Sequence, residues 1–131
     1  IGQNNKFLIP KIIHHYSNNL KSIDLGNINI FREFNDVQDV TDIYLKLIES
    51  NIKSEIFNIC SGVSYSIKNI LDILNLELGY DMTVNINSDF IRKFEIKDLK
   101  GDNSKLKRML NNDNLFKLSL KDTLIKMLNN N

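Results

Sequence analysis

The 131-residue chain carries 17 Lys and Arg against 16 Asp and Glu, a formal net charge of +1, so one domain with a real core is expected, too small for most complete two-substrate enzymes. Near-neutrality without a basic cluster argues against a nucleic-acid partner, no apolar run reaches the roughly 18 residues of a membrane span, and Ile1 onward lacks the order of a signal peptide. The chain therefore reads as soluble and cytoplasmic, and its single Cys60, closing an apolar run, as a buried thiol rather than a disulfide partner or a nucleophile.

Along the chain, Phe7, Ile9, Ile12, Ile13 and Tyr16 recur near helical spacing with Pro10 best placed in a first turn, which predicts a helix from about Pro10 to Asn18. The alternating runs Ile23-Asp24-Leu25 and Ile28-Asn29-Ile30-Phe31 flank Gly26-Asn27, a pair suited to a tight turn, and predict a small β-hairpin. Val37, Val40, Ile43, Tyr44, Leu47 and Ile48 then step at three and four residues behind Asp36, a natural N-cap, giving a helix from about Val37 to Ser50. Glu55 to Cys60 is β-prone and closed by Ser61-Gly62. After it, Ile67, Ile70, Leu71, Leu74 and Leu78 mark a helix bounded by Ser66 and Gly79.

Met82 to Ile86 alternates as a further strand. Beyond the polar stretch Asn87 to Lys100, two short helices begin near Asp102 to Ser104 and at Ser119, with Asp122 completing a near capping box. Asn is scattered among the periodic apolar positions, so only Asn129 to Asn131 reads as a frayed tail. The sum is an α/β or α+β chain with a small mixed sheet, a β-hairpin and about five helices.

Few residues suggest chemistry. His14 and His15 are adjacent, diverge by about 100° on a helix, and find no third His, CxxC or HExxH to complete a metal site. Neither Gly-x-Gly-x-x-Gly nor a Gly-x-x-x-x-Gly-Lys-Ser/Thr loop is present to cradle phosphates. Arg is scarce in a composition that prefers Lys: Arg32, Arg92 and Arg108 are three of 17 basic residues, so each invites a reason. A guanidinium fork matches phosphate oxygens as an ammonium cannot, and Arg32 and Arg92 fall near predicted loop ends. Spacing equally allows surface ion pairs, Arg32 with Glu33 or Asp36 and Arg92 with Glu95.

The order of several motifs resembles the C-terminal portion of an extended short-chain dehydrogenase/reductase acting on nucleotide sugars, most like the GDP-4-keto-6-deoxy-mannose reductases and GDP-mannose 4,6-dehydratases. The likeness runs through Gly2-Gln3, Phe7-x-x-Pro10-Lys11-Ile12, Leu25-Gly26-Asn27 and Arg32-Glu33-Phe34-x-Asp36-Val37-x-Asp39-Val40. It continues through Phe57-Asn58-Ile59-Cys60-Ser61-Gly62, Ser64-Tyr65-Ser66-Ile67, Arg92-x-x-Glu95 and Gly101-Asp102-Asn103-Ser104-Lys105-Leu106, covering nearly the whole chain.

In that family a glycine-rich Rossmann half with a Tyr-x-x-x-Lys precedes this region. Here Tyr16 is followed at the fourth position by Leu20, Tyr44 by Ile48, Tyr65 by Asn69 and Tyr80 by Val84, so no Tyr has its Lys. The resemblance implies that residues 1–131 are the substrate-binding part of an NAD- or NADP-dependent reductase, dehydratase or epimerase. On that reading the chain binds no cofactor of its own, is inactive alone, takes a nucleotide sugar with GDP-sugars favoured, and partners a missing Rossmann half in a homo-oligomeric enzyme. It assigns Arg32 and Arg92 to the diphosphate, Lys11 to substrate contact and Glu95 to the ribose hydroxyls. Departures are Glu33 for the usual Asp, Lys93-Phe94 after Arg92, and Asn111-Asn112 where Gly-Trp is common. The rival reading is a non-enzymatic nucleotide-sugar-binding module or an inactive remnant, which the coding sequence upstream of Ile1 would distinguish.

Overall fold

The computed structural model describes residues 2–130. Helix α1 spans Leu8–Ser17 and starts two residues ahead of its predicted position, with Pro10 inside the first turn, where amides have no intrahelical acceptor. Helix α2, Val37–Glu49, starts where Asp36 accepts from the Gln38 amide at 2.8 Å. Carboxylates at its start fix its surroundings. Asp36 also meets Lys126 Nζ at 3.4 Å, and the buried Asp39 accepts from the amides of Lys117 and Leu118 at 3.1 and 3.0 Å.

Helix α3, Ile67–Leu78, has the predicted limits: a Ser66 capping box, completed by Asn69, and Gly79 in the left-handed region at φ 71°. Helices α4, Ser104–Leu110, and α5, Leu120–Asn129, follow, the latter opening on the Ser119–Asp122 box. The tail read as frayed is still helical at Asn129, Asn130 caps it, and Asn131 lies outside the described residues.

Five short strands make two sheets: β1 (Ser22–Leu25), β2 (Phe31–Glu33), β3 (Ser64–Ser66), β4 (Thr83–Ile86) and β5 (Asp98–Leu99). The hairpin expected around Gly26-Asn27 is not formed. Instead β1 pairs in parallel with β4, Ser22 opposite Thr83 and Leu25 opposite Ile86, while β2 lies between antiparallel β3 and parallel β5. The glycine serves proximity rather than a reversal, since a Cβ on Gly26 would lie 2.7 Å from the Phe90 carbonyl oxygen.

The strand expected over Glu55 to Cys60 is also absent; among the described residues this run has no ladder partner, and β3 precedes α3 in its place. Its side chains pack instead, Phe57 and Ile59 against a small core of Ile43, Leu106 and Leu115. Its Cys60 carbonyl accepts from Asn103 Nδ2 at 2.7 Å. The larger core joins Ile12, Ile13 and Tyr16 of α1 to Ile23 and Leu25 of β1, Ile70 and Leu74 of α3, and Leu124 of α5. No helix among the described residues is long and apolar enough to cross a membrane.

Candidate functional site

Lys11, Arg32, Arg92 and Glu95, drawn from α1, β2 and the irregular stretch after β4, line one cavity of about 380 Å³. Four cations, Lys6, Lys11, Arg32 and Arg92, line it with Glu95 and Asp24, whose carboxylate is engaged by Asn85 Nδ2 at 3.0 Å, a balance suited to an anion. The floor is apolar, with Leu25, Ile28, Ile30 and Ile67.

Lys11, Arg32 and Glu95 are placed by local structure, whereas Arg92 is exposed on the stretch after β4. Lys11 borders the buried face of α1 and donates through Nζ to the Asp24 carbonyl at 2.6 Å, with the Phe90 ring centroid 4.9 Å away. On β2, pleat alternation sends Arg32 to one face and Glu33 to the other. Arg32 Nη1 donates to the carbonyls of Phe31 at 2.6 Å and Ile96 at 2.7 Å, occupying both of its hydrogens and leaving Nη2 and Nε, the two-pronged part of the fork, without a protein acceptor among the described residues. Glu95 accepts from Asn27 Nδ2 at 3.0 Å.

The ion pairs that spacing allowed are not made. All five salt bridges among the described residues use lysines, and the carboxylates offered to Arg32 are engaged elsewhere. Glu33 accepts from the amides of Ser61, Gly62 and Gly101 and from the Ser61 hydroxyl. Burial pushes the Glu33 carboxyl up, but the Gly101 and Gly62 amides and the Ser61 hydroxyl outweigh it and hold it below the usual glutamate value. Asp36 is tied to Gln38 and Lys126.

Cys60 is a buried free thiol, pushed up by burial and by the charges of Glu33 and Asp102, the opposite of what activates a nucleophile. His15 Nδ1 lies 2.8 Å from the Lys11 carbonyl, and His14 Nδ1 lies 3.2 Å from the Asn18 side chain. No group of three metal-ligating side chains occurs among the described residues. Sequence reasoning did not single out Asn27, Phe90 or Lys6 as lining this cavity. Asn27 carried a signal, standing in the Leu25-Gly26-Asn27 run, but was read only as a turn residue.

Comparison with known proteins supplies the context. The family model for GDP-mannose 4,6 dehydratase matches residues 2–126. The chain is 38% identical over 116 residues to GDP-6-deoxy-D-talose 4-dehydrogenase of Aggregatibacter actinomycetemcomitans, covering 88% of this chain and 40% of that relative. It therefore spans well under half the length of that enzyme. A crystal structure of a proposed epimerase from Burkholderia cenocepacia J2315 superimposes with a TM-score of 0.93 at 41% identity, over 99% of this chain and 42% of the other. The structure of RMD from Pseudomonas aeruginosa complexed with NADPH shares the fold, with a TM-score of 0.86 at 22% identity over 98% of this chain and 43% of that one. The family model's match, which takes in residues 2–126, identifies the chain as a member of the GDP-mannose 4,6 dehydratase family.

Proposed function

We propose that residues 1–131 form the substrate-binding part of an NAD- or NADP-dependent enzyme that reduces, dehydrates or epimerises a nucleotide sugar, with GDP-sugars favoured. The observation that carries this reading is the convergence of Arg32 and Arg92, far apart in sequence, on one cavity with Lys11 and Glu95, neither arginine paired to a carboxylate among the described residues. Two guanidinium groups with open donors suit a diphosphate. Glu95 suits the ribose hydroxyls, and Lys11 the substrate beside Phe90. The GDP-sugar preference is supported by the name of the 38% identical relative.

The dinucleotide does not fit this chain alone. Its 131 residues hold neither a Gly-x-Gly-x-x-Gly turn nor a Tyr-x-x-x-Lys, so the cofactor, which supplies hydride transfer when bound, belongs to a further dinucleotide-binding half. Val37, Tyr44 and Ile48 are exposed along α2, and Ile56 is 87% exposed within the unladdered run, apolar side chains of the kind such a half would cover. The role of this chain is to hold the nucleotide end so that the sugar meets the nicotinamide.

The test is nucleotide binding by the protein that joins this chain to its dinucleotide-binding half. Arg32→Ala or Arg92→Ala should weaken GDP binding on the order of tenfold to a hundredfold, because a charge-assisted bond contributes about 1.5 to 3 kcal/mol. NAD(P) binding should stay intact. Arg108→Ala, at an exposed position of α4 outside the cavity, is the control. If Arg32 and Arg92 behave like Arg108, the cavity is not a diphosphate site.

A further inference from the structure

The geometry points to Asn27 as a positioning residue that aims the Glu95 carboxylate at the ribose hydroxyls, an inference that rests on the nucleotide reading of the cavity. Glu95 stands on a stretch between the 3-10 turn Ser88–Phe90 and β5 that has no helix or ladder to orient it. Its one hydrogen-bond partner among the described residues is Asn27 Nδ2, 3.0 Å from Oε2. The other carboxylate oxygen is thus left to accept from a ligand hydroxyl in a cavity that both residues line.

Asn27 is itself fixed at both ends. Its Oδ1 accepts from the Asn29 amide at 3.0 Å, closing an Asx turn. A carboxylate can only accept and a backbone amide can only donate, so the two partners determine which way the Asn27 amide faces. The backbone beneath it is held as well: Gly26 lies so close to residue 90 that a Cβ would meet the Phe90 carbonyl oxygen at 2.7 Å. The loop carrying Asn27 is therefore braced against the stretch carrying Glu95, and Asn27 Nδ2 is the polar link across that contact.

This arrangement separates a turn role from a positioning role. Asn27→Asp keeps the acceptor for the Asn29 amide but replaces the donor facing Glu95 with a like charge. The added charge repels every nucleotide diphosphate alike, so the ratio of affinities for two nucleotides reports on Glu95 and not on field strength.

The experiment compares GDP with 2′,3′-dideoxy-GDP by calorimetry in the protein that joins this chain to its dinucleotide-binding half. The wild type should prefer GDP by about tenfold, as expected for hydroxyl hydrogen bonds to a charged acceptor. Asn27→Asp and Asn27→Ala should bring that preference close to one, as should Glu95→Ala. Arg32→Ala and Arg92→Ala should each weaken both nucleotides, and Arg92→Ala, which removes one contact without loosening the stretch, should keep the ratio. Retention of the wild-type ratio by Asn27→Asp overturns the inference, because Asn27 then serves only its turn; this variant decides the matter even where Asn27→Ala does not fold. A wild type without preference, or an Arg32→Ala protein binding both nucleotides normally, overturns the nucleotide reading and the inference with it, a pattern distinct from failure of the inference alone.

Discussion

Glu33 offers the most direct test of how the loops around β2 are held. Its carboxylate accepts from the amides of Ser61, Gly62 and Gly101 and from the Ser61 hydroxyl, joining two loops some forty positions apart in the chain. Truncation in Glu33→Ala leaves three amides without their acceptor. Bonds to a charged acceptor are worth about 1.5 to 3 kcal/mol each, but this side chain is only partly buried and water can replace some of them, so a total loss of about 2 to 4 kcal/mol is expected. Glu33→Gln retains one acceptor oxygen for Ser61 and Gly62 while turning an NH₂ towards the Gly101 amide, a donor facing a donor, and should cost about 1 to 2 kcal/mol.

The pH dependence of that difference identifies the charge as its source. The folded-state carboxyl lies below its ordinary value. The stabilisation is therefore complete above the unfolded glutamate value of about 4.3 and is lost as pH falls through the lower folded value. Urea denaturation followed by far-UV circular dichroism at pH 7, 5, 4 and 3 should show a gap between wild type and Glu33→Gln that is constant from pH 7 to 5 and narrows below about pH 4. A gap that persists undiminished at pH 3, or no gap at pH 7, would refute the electrostatic account of this clamp.

Two further substitutions probe close packing near the site. Gly26→Ala should destabilise the chain by about 1 to 3 kcal/mol and weaken GDP binding, since the new Cβ would fall 2.7 Å from the Phe90 carbonyl oxygen; unchanged denaturation midpoint and affinity would show that the two loops move apart freely. Cys60→Ser should lower stability by about 1 to 3 kcal/mol by burying a more polar group in a residue only 8% exposed, without changing ligand affinity. Rapid labelling of Cys60 in the native protein would contradict its placement.

Helices α2, α3 and α5 were legible because a capping residue marks the start of each, whereas α1, which has no side-chain cap, begins two residues ahead of its predicted position. The α3 boundaries are written in Ser66 and Gly79, and α2 begins at the Asp36 cap. Strand pairing was not legible, because strands of two to four residues find partners far away in sequence, such as Ser22 opposite Thr83. Gly26-Asn27 reads the same whether the chain reverses there or passes tightly against another segment, and only the fold distinguishes the two. Over Glu55 to Cys60, β-propensity describes a surface that suits a pleat but does not provide an edge to pair with.

At the candidate site, composition drew attention to the arginines and the family resemblance attached Lys11 and Glu95. Local spacing suggested Arg32 with Glu33. Alternation on β2 sends those neighbours to opposite faces, and Glu33 is engaged by loops around Gly62 and Gly101. Asn27 was missed as a lining residue because its partner, Glu95, lies 68 positions away, beyond the reach of any local pattern.

The two carbonyl bonds of Arg32 make it a strut as well as a charge. By holding Phe31 and Ile96 at 2.6 and 2.7 Å, it anchors the otherwise irregular stretch on which Arg92 and Glu95 stand. Energetic effects at these positions are consequently coupled: loss of Arg32 also relaxes the platform that presents Arg92, so removing both arginines costs less than the two separate losses combined. A substitution at position 92 alters one contact, whereas a substitution at position 32 alters the geometry of the whole rim.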